Sequence, residues 1–332
     1  AGYGPSVIGD VALISILLGI VTLGLVAIQV LLQRRMRNAL VGLPQQPLAV
    51  DLGRARLPVE ATVWLLLAAT LLLPALSLFA TSMMRTYGLP LAASSLTVEN
   101  YAEILFRQAV TLRAFANSTV AAALAALLIA GLSILLGYFL AMRRGIARRL
   151  AGLVAAQADV AYAVPGLVMS IAFILMFLRP LPVLGVSLYG TMAIILLAYV
   201  AVFLAIGLNS VMAAYMQVDA SLDDAARVSG AGFFRRLVRV HAPLVAPAAA
   251  SGAILVFLTS YNEVTVSALL WSSGNETIGT TIFNYEDGGY TTLAAAMSSV
   301  TVVATVLVML AVNALARHVP AQRPRRCQVR AR

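Results

Sequence analysis

Two carboxylates stand inside long apolar runs of this chain. Glu263 follows Tyr261 and Asn262 and precedes Thr265 in the middle of a run from Leu244 to Trp271, and Asp159 lies within a run from Ala151 to Phe177. A charge in hydrocarbon costs about 2.5 kcal/mol or more by insertion scales, so each carboxylate should face a pathway, a partner or a hydrogen-bonding neighbour helix. Both readings of Glu263, a gate or pathway group and an interhelical hydrogen bond, stay open on sequence grounds; Asp159, closer to a span end, leans to the structural one. A third group of polar residues differs in kind. Asp219, Asp223, Asp224, Arg227, Arg235, Arg236, Arg239 and His241 crowd in and beside the stretch Ser221–Pro243, which interrupts two apolar blocks. None of these patterns reads as catalysis. The two histidines and the single Cys327 are far apart in sequence, so no metal set is expected. No nucleophile and base share a plausible site. The chain contains no lysine and therefore no Gly-x4-Gly-Lys-Ser/Thr phosphate loop. We expect no catalytic residue, no resident metal and no cofactor; what remains is transport and docking.

The elements that must position these residues are membrane helices. Hydrophobic residues make up 61% of the chain and charged ones 11%, against roughly 25% charged in soluble domains. Runs long enough to cross a bilayer as helix are expected at Val11–Gln33, Ala61–Ser82, Asn117–Ala141, Ala151–Phe177, Tyr189–Ala213, Leu244–Trp271 and Thr291–Ala316. The fold class is thus an all-α polytopic membrane protein of about seven spans. Between the second and third, Val98–Phe106 has helical apolar spacing and is expected to lie on the membrane surface. Pro165-Gly166 is expected to kink the fourth span, and Gly131, Ser133 and Gly137 to let the third pack closely. A net charge of +10 could suggest nucleic acid, but the distribution argues otherwise. All 23 basic residues are arginine, and all but Arg85, Arg107, Arg113 and Arg179 fall on one side of the expected topology. That asymmetry makes their side cytoplasmic, with the N-terminus outside and the C-terminus inside. The stretch Ser221–Pro243 is then cytoplasmic.

Within that stretch, Ser221 is read as an N-cap with Asp224 in capping-box position, and Asp223 and Asp224 complement the helix dipole. Gly230 ends the first short helix. A second begins at Phe233, with Phe233, Leu237 and Val240 on one face and Arg235, Arg236 and Arg239 on others, before Pro243 opens the next span. Two short helices bent at a glycine make a knob with small alanines and an apolar face that suit a partner's groove.

The order Asp224-Ala225-Ala226, three residues, Gly230, nine residues, Val240, His241, Ala242, Pro243 resembles the cytoplasmic loop of ABC-importer permeases, Glu-Ala-Ala-x3-Gly-x9-Ile-x-Leu-Pro. Asp stands for Glu, Val for Ile and Ala for Leu; the Ala-Ala, Gly and Pro positions and the spacing match. The segments LTVENYAEILF, Asn117-Ser118 and Pro165-Gly166 also sit where such permeases have similar residues. The resemblance implies that residues 57–317 form one six-helix permease domain, coupled through Asp224, Ala225, Ala226, Gly230, Val240 and Pro243 to a cytoplasmic ABC ATPase dimer. It implies a periplasmic or surface substrate-binding protein, the lipid bilayer and a second permease unit as partners, and a bacterial inner-membrane location. Nucleic acid is not among the expected partners. The similarity is greatest to ferric-iron permeases, which often join two such units; residues 1–37 are then expected to be the last helix of a preceding unit, 38–56 a cytoplasmic linker and 318–332 a basic cytoplasmic tail. By the same resemblance Tyr261, Asn262 and Glu263 are assigned to the translocation pathway, since Glu263-Val264-Thr265-Val266 is similar to a run of the iron-type family. The alternative is an ion-coupled secondary transporter that uses Glu263 and Asp159 as proton-linked carboxylates.

Overall fold

Backbone amides in hydrocarbon have no water to bind, so apolar runs of this length must satisfy them internally as helix. The computed structural model describes residues 53–90, 92–180 and 185–318, preceded by six helical positions, Leu17, Ile20, Val21, Gly24, Ile28 and Leu31. The expected first span, most of the linker and the residues after His318 otherwise lie outside the described residues. Among the described residues the structure is helical, with no strands. Its elements are α1 (Arg56–Ser82), α2 (Glu99–Ala102), α3 (Ala109–Met142), α4 (Ile146–Ala163), α5 (Gly166–Phe177) and α6 (Met192–Tyr215). The short α7 (Ser221–Val228) follows, then α8 (Phe233–Tyr261), α9 (Ser267–Leu270), α10 (Ile278–Asp287) and α11 (Thr291–His318). Five of these helices are long and apolar enough to cross a membrane, and α4 with α5 makes a sixth crossing if the bent pair is one span.

Three helices, α3, α6 and α8, form the centre and pack on one another more extensively than any other set. Their seams are built from small residues. Gly207 of α6 lies directly under Ile129 of α3, and the ring of Tyr215 covers Gly137. Ser133 is fully buried in the same seam, whereas Gly131 faces open space. Ile129, Ile194, Ala198, Tyr199 and Val256 are among the buried residues that fill the core. By contrast, α1 packs chiefly on α11, and none of its most apolar stretch is buried.

Three expected elements are corrected. The third span begins before Asn117: α3 is a continuous helix of 34 residues, about 51 Å at 1.5 Å per residue, and so projects past a hydrocarbon layer of about 30 Å. The fourth span is broken rather than kinked. Pro165 lacks the N–H that would continue the helix, and the residue before a proline avoids helical angles. Val164 and Pro165 are accordingly both extended (ψ 135° and 137°), and α5 leaves α4 at 118°. The sixth span also stops early: α8 ends at Tyr261, and the chain turns before α9. The helix expected within Val98–Phe106 forms and is locked to the bundle. Asn100 donates to the carbonyls of Ser82 and Met84, and the Tyr101 hydroxyl sits 2.6 Å from Ser82 Oγ and 2.9 Å from Ser299 Oγ. A π turn at Glu103–Arg107 follows and buries Ile104 completely.

Candidate functional site

The stretch from Ser221 to Pro243 forms a knob at the end of the bundle that carries Met142 and the arginines after it. The residues expected to act as cap and turn divide in outcome. Ser221 is the first helical residue, and no side chain caps the helix from position 220. The carboxylate of Asp219 does the work, accepting the Ser221 N–H at 2.8 Å; that bond holds the Asp219 carboxyl below its ordinary range. Gly230 ends the helix as expected, at φ +78°. Its N–H donates to the Arg227 carbonyl at 2.9 Å and the Ala231 N–H to the Ala226 carbonyl at 3.0 Å, the two bonds of a Schellman stop. A side chain at Gly230 would meet nothing within 4 Å but would be held in the left-handed region.

The knob has an exposed and an anchored side. Leu222, Val228, Phe234 and Val238 are exposed, as are Asp224, Ala225, Gly230 and Pro243, while Ala226 and Val240 are half-buried. Phe233 and Leu237 turn inward against Tyr138, Val211, Tyr215 and Val245. Phe233 meets the Tyr138 ring edge-on with centroids 5.6 Å apart and stacks on Phe139 at the same distance.

Below this apolar contact lies a polar cluster that sequence reasoning missed. Asp223 is expected, with Asp224, in the first turn of a helix, complementing its dipole. It is buried (5% exposed), and so are Arg236 (5%) and His241 (0%). Asp223 Oδ1 accepts the Tyr138 hydroxyl at 3.2 Å and lies 3.2 Å from His241 Nε2, and Oδ2 accepts Arg236 Nη1 at 3.4 Å. An ionised carboxylate only accepts, so Nε2 carries the proton. Arg236 was expected on a face away from the core. A π turn over Leu237–His241 changes the phase: positions five apart diverge by about 140° on an α-helix at 100° per residue, whereas the wider turn, bonded five residues apart, brings them to one side. The sequence signal that was available is the lone His241 at the mouth of an apolar span.

The central carboxylate also changes place. Glu263 is not within a helix but just beyond the end of α8, buried, with its side chain folded back as a cap for α9. Oε1 accepts from the Val266 N–H and from Thr265 Oγ1 at 2.9 Å, and Oε2 accepts the Ser267 N–H at 3.0 Å. The first turn of a helix leaves such amides unsatisfied, and their alignment offsets the cost of burying the charge. Tyr199 of α6 faces the same carboxylate and Ser267. Two glycines close around this turn. Gly279, at the start of α10, abuts the Glu263 carbonyl and Val264 Cα, and Gly166, at the start of α5, abuts Thr265. Ser170 completes the joint by donating to the Val266 carbonyl at 2.7 Å. The breaks in the two interrupted spans therefore meet. Tyr261 is buried and stacks on Phe257 at 5.6 Å, and Asn262 is exposed and accepts from Thr305 of α11. Asp159 is on α4 beside Asn209 of α6. It and Glu263 thus have separate hydrogen-bond partners.

At the opposite end of the bundle, Arg113 clamps Glu276 through two bonds of 2.9 and 3.1 Å and holds its carboxyl below the ordinary range. Asn117 donates to the carbonyls of Gly274 and Glu276, and Ser118 accepts the Ile278 N–H. Ser272 and Asn275 reach across to the carbonyl of Gly190. The loops expected on the arginine-poor side thus join at one end, away from the knob.

Comparison with known proteins bears on this architecture. A family model described as the binding-protein-dependent transport system inner membrane component matches residues 133–322, which includes the knob and the Glu263 turn. A probable ABC transporter permease protein, y4fN of Sinorhizobium fredii, is 28% identical over 274 residues, covering 80% of this chain and 47% of that protein. The chain therefore spans about half the length of that curated relative. Among solved structures, a bacterial ABC transporter involved in import of the acidic polysaccharide alginate matches 80% of this chain and 99% of its own at a TM-score of 0.55 and 20% identity. A bacterial alginate ABC transporter in complex with alginate pentasaccharide-bound periplasmic protein matches 79% of this chain and 92% of its own at a TM-score of 0.61 and 17% identity. At these identities the likeness is one of fold.

Proposed function

Since the chain belongs to the binding-protein-dependent transport system inner membrane components, we propose that it is a permease subunit of an ATP-driven importer. Substrate arrives from a periplasmic or surface binding protein, and the knob at Ser221–Pro243 docks in a groove of a separate cytoplasmic ATPase. One observation carries this reading. The knob exposes Leu222, Val228, Phe234 and Val238 while its underside is fixed to α3 and α8. Exposed apolar side chains on a rigid two-helix projection fit a partner's hydrophobic groove. The family match and the solved complex with a periplasmic protein support the choice of partners. A second permease unit, in the same polypeptide or another, completes the assembly, with residues 57–317 as one unit. The N-terminus lies outside and the C-terminus in the cytoplasm, as the arginine distribution favours.

Tyr261, Asn262 and Glu263 are proposed to line the translocation pathway where the span is interrupted; broken helices and their free termini are recurrent features of transport sites. Ferric iron is the cargo favoured by the sequence resemblance. The alginate importers share the fold at low identity, and their cargo is a property of those proteins.

The decisive experiment is Gly230→Trp in the permease co-expressed with its ATPase. The left-handed backbone there disfavours any side chain by about 1–2 kcal/mol, and the new ring would stand on the docking face without entering the bundle. We expect membrane insertion at the wild-type level with loss of ATPase co-purification and of substrate-stimulated hydrolysis. Transport that runs on a proton gradient with no ATPase would end the coupling assignment, and uptake assays with labelled ferric iron check the cargo.

A further inference from the structure

We propose that Asp223 is the pin through which motion of α7 reaches the membrane helices, a role that rests on the coupling assignment above. Asp223 is the one buried residue of α7; Leu222, Asp224, Arg227 and Val228 on the same helix are exposed. Among the described residues, the side-chain hydrogen bonds that tie α7 to the bundle all run through Asp223, with Ala226 half-buried beside it. That carboxylate takes donors from two membrane helices. Tyr138 comes from the end of α3, and Arg236 and His241 come from the first turns of α8. The Tyr138 ring in turn lies edge-on to His241 at 5.0 Å, and His241 packs beside Tyr215 of α6 at 6.0 Å. All three central helices thus converge on one acceptor or its immediate neighbours.

The chemistry suits a rigid link better than a stabilising one. A buried ion pair adds little net stability compared with apolar packing, because both charges must leave water. It does penalise any displacement that separates the charges, and the effect is to hold one register. An apolar contact between the same helices would allow sliding. The adjacent Phe233 and Leu237 contact supplies the packing, and Asp223 fixes its position. A force applied to the exposed side of α7 then moves the ends of α3 and α8 together instead of bending the loop.

The test uses the permease reconstituted in proteoliposomes with its ATPase and binding protein. Asp223→Asn keeps the shape and removes the charge. We expect the ATPase still to co-purify and hydrolyse ATP, while substrate moved per ATP falls about tenfold. Tyr138→Phe, which removes a single bond, should give a smaller loss and keeps the proposal testable if Asp223→Asn does not accumulate. A second readout is independent of the ATPase. In a Cys327→Ser background, spin labels at Val228→Cys and Ala141→Cys should give a narrow distance distribution in the permease alone, broadened by Asp223→Asn. Unchanged stoichiometry and unchanged distances in both variants would overturn the proposal. So would loss of ATPase binding in Asp223→Asn with the distance distribution intact, since Asp223 would then belong to the docking surface. If the wild-type chain binds no ATPase, the coupling assignment fails, and the label distances still report whether α7 is pinned.

Discussion

Individual charges in this protein are placed where backbone or side-chain donors meet them, and each placement has a measurable consequence. Glu276 is buried, accepts two bonds from Arg113 and one from the Gly274 N–H, and has its pKa lowered chiefly by the Arg113 bonds. A carboxyl whose folded pKa lies below its unfolded value, about 4.3 for glutamate, contributes fully above that value, and the contribution is lost as pH falls through the folded pKa. We expect Arg113→Gln to lower the melting temperature in detergent by a few degrees at pH 7. The same change should flatten the loss of stability between pH 5 and the acid limit, measured by thermal unfolding across that range. Arg113 is half exposed, so solvent keeps the effect modest. Residues of this kind were only partly legible beforehand. Both members of the pair were visible as charges, but they are 163 positions apart, and neither periodicity nor local propensity links them.

At the level of elements, the two interrupted spans are the most informative departure from the expected pattern. Hydropathy alone sees one continuous apolar run through Pro165 and another through Glu263. The break at Pro165 has a local cause, the missing amide, but its size depends on where α5 finds a surface. That surface is the turn after α8, which accepts α5 at Gly166 and α10 at Gly279. The tightness of this joint yields a contrast with the α3–α6 seam. A methyl at Gly279 would meet main-chain atoms of Glu263 and Val264, which cannot step aside, whereas one at Gly207 would meet the side chain of Ile129. Overpacking of this sort costs about 1–3 kcal/mol. Gly207→Ala should therefore be partly rescued by Ile129→Ala, while Gly279→Ala should resist rescue by Thr265→Ala, Ser267→Ala or other side-chain truncations nearby. Thermal unfolding and size-exclusion profiles of the purified variants check both. Glu263→Gln tests the same joint from within: an amide nitrogen would face a backbone N–H, leaving a buried donor unsatisfied at about 1–3 kcal/mol. We expect reduced transport and reduced stability, with ATPase docking retained; wild-type transport would leave Glu263 as a cap alone.

Among the described residues the molecule has a three-helix centre and an outer helix, α1, that is exposed along its apolar stretch. Trp64, Leu65, Leu71 and Leu72 are all exposed on it, as suits a helix bathed in lipid or covered by a second unit. A charge at its middle should therefore be judged by the membrane and not by the core. Leu72→Arg would cost about 2.5–3.5 kcal/mol on an insertion scale, and we expect impaired insertion of α1 by alkaline extraction or glycosylation mapping. The sequence by itself determined the all-helical class, which of the described runs are long and apolar enough to cross a membrane, and the glycine stop at Gly230, because each is a property of covalent neighbours and of local hydropathy. The tertiary structure decided which charges are buried and what they hold. Asp223 and Asp224 are adjacent and chemically alike, yet one is a buried acceptor for three donors and the other is exposed. Glu263 sits in an apolar run but ends as a helix cap. The physical reason is that a buried carboxylate survives only where donors converge on it: Glu263 finds them within four residues once its span breaks, and Asp223 takes one from as far as 85 positions away.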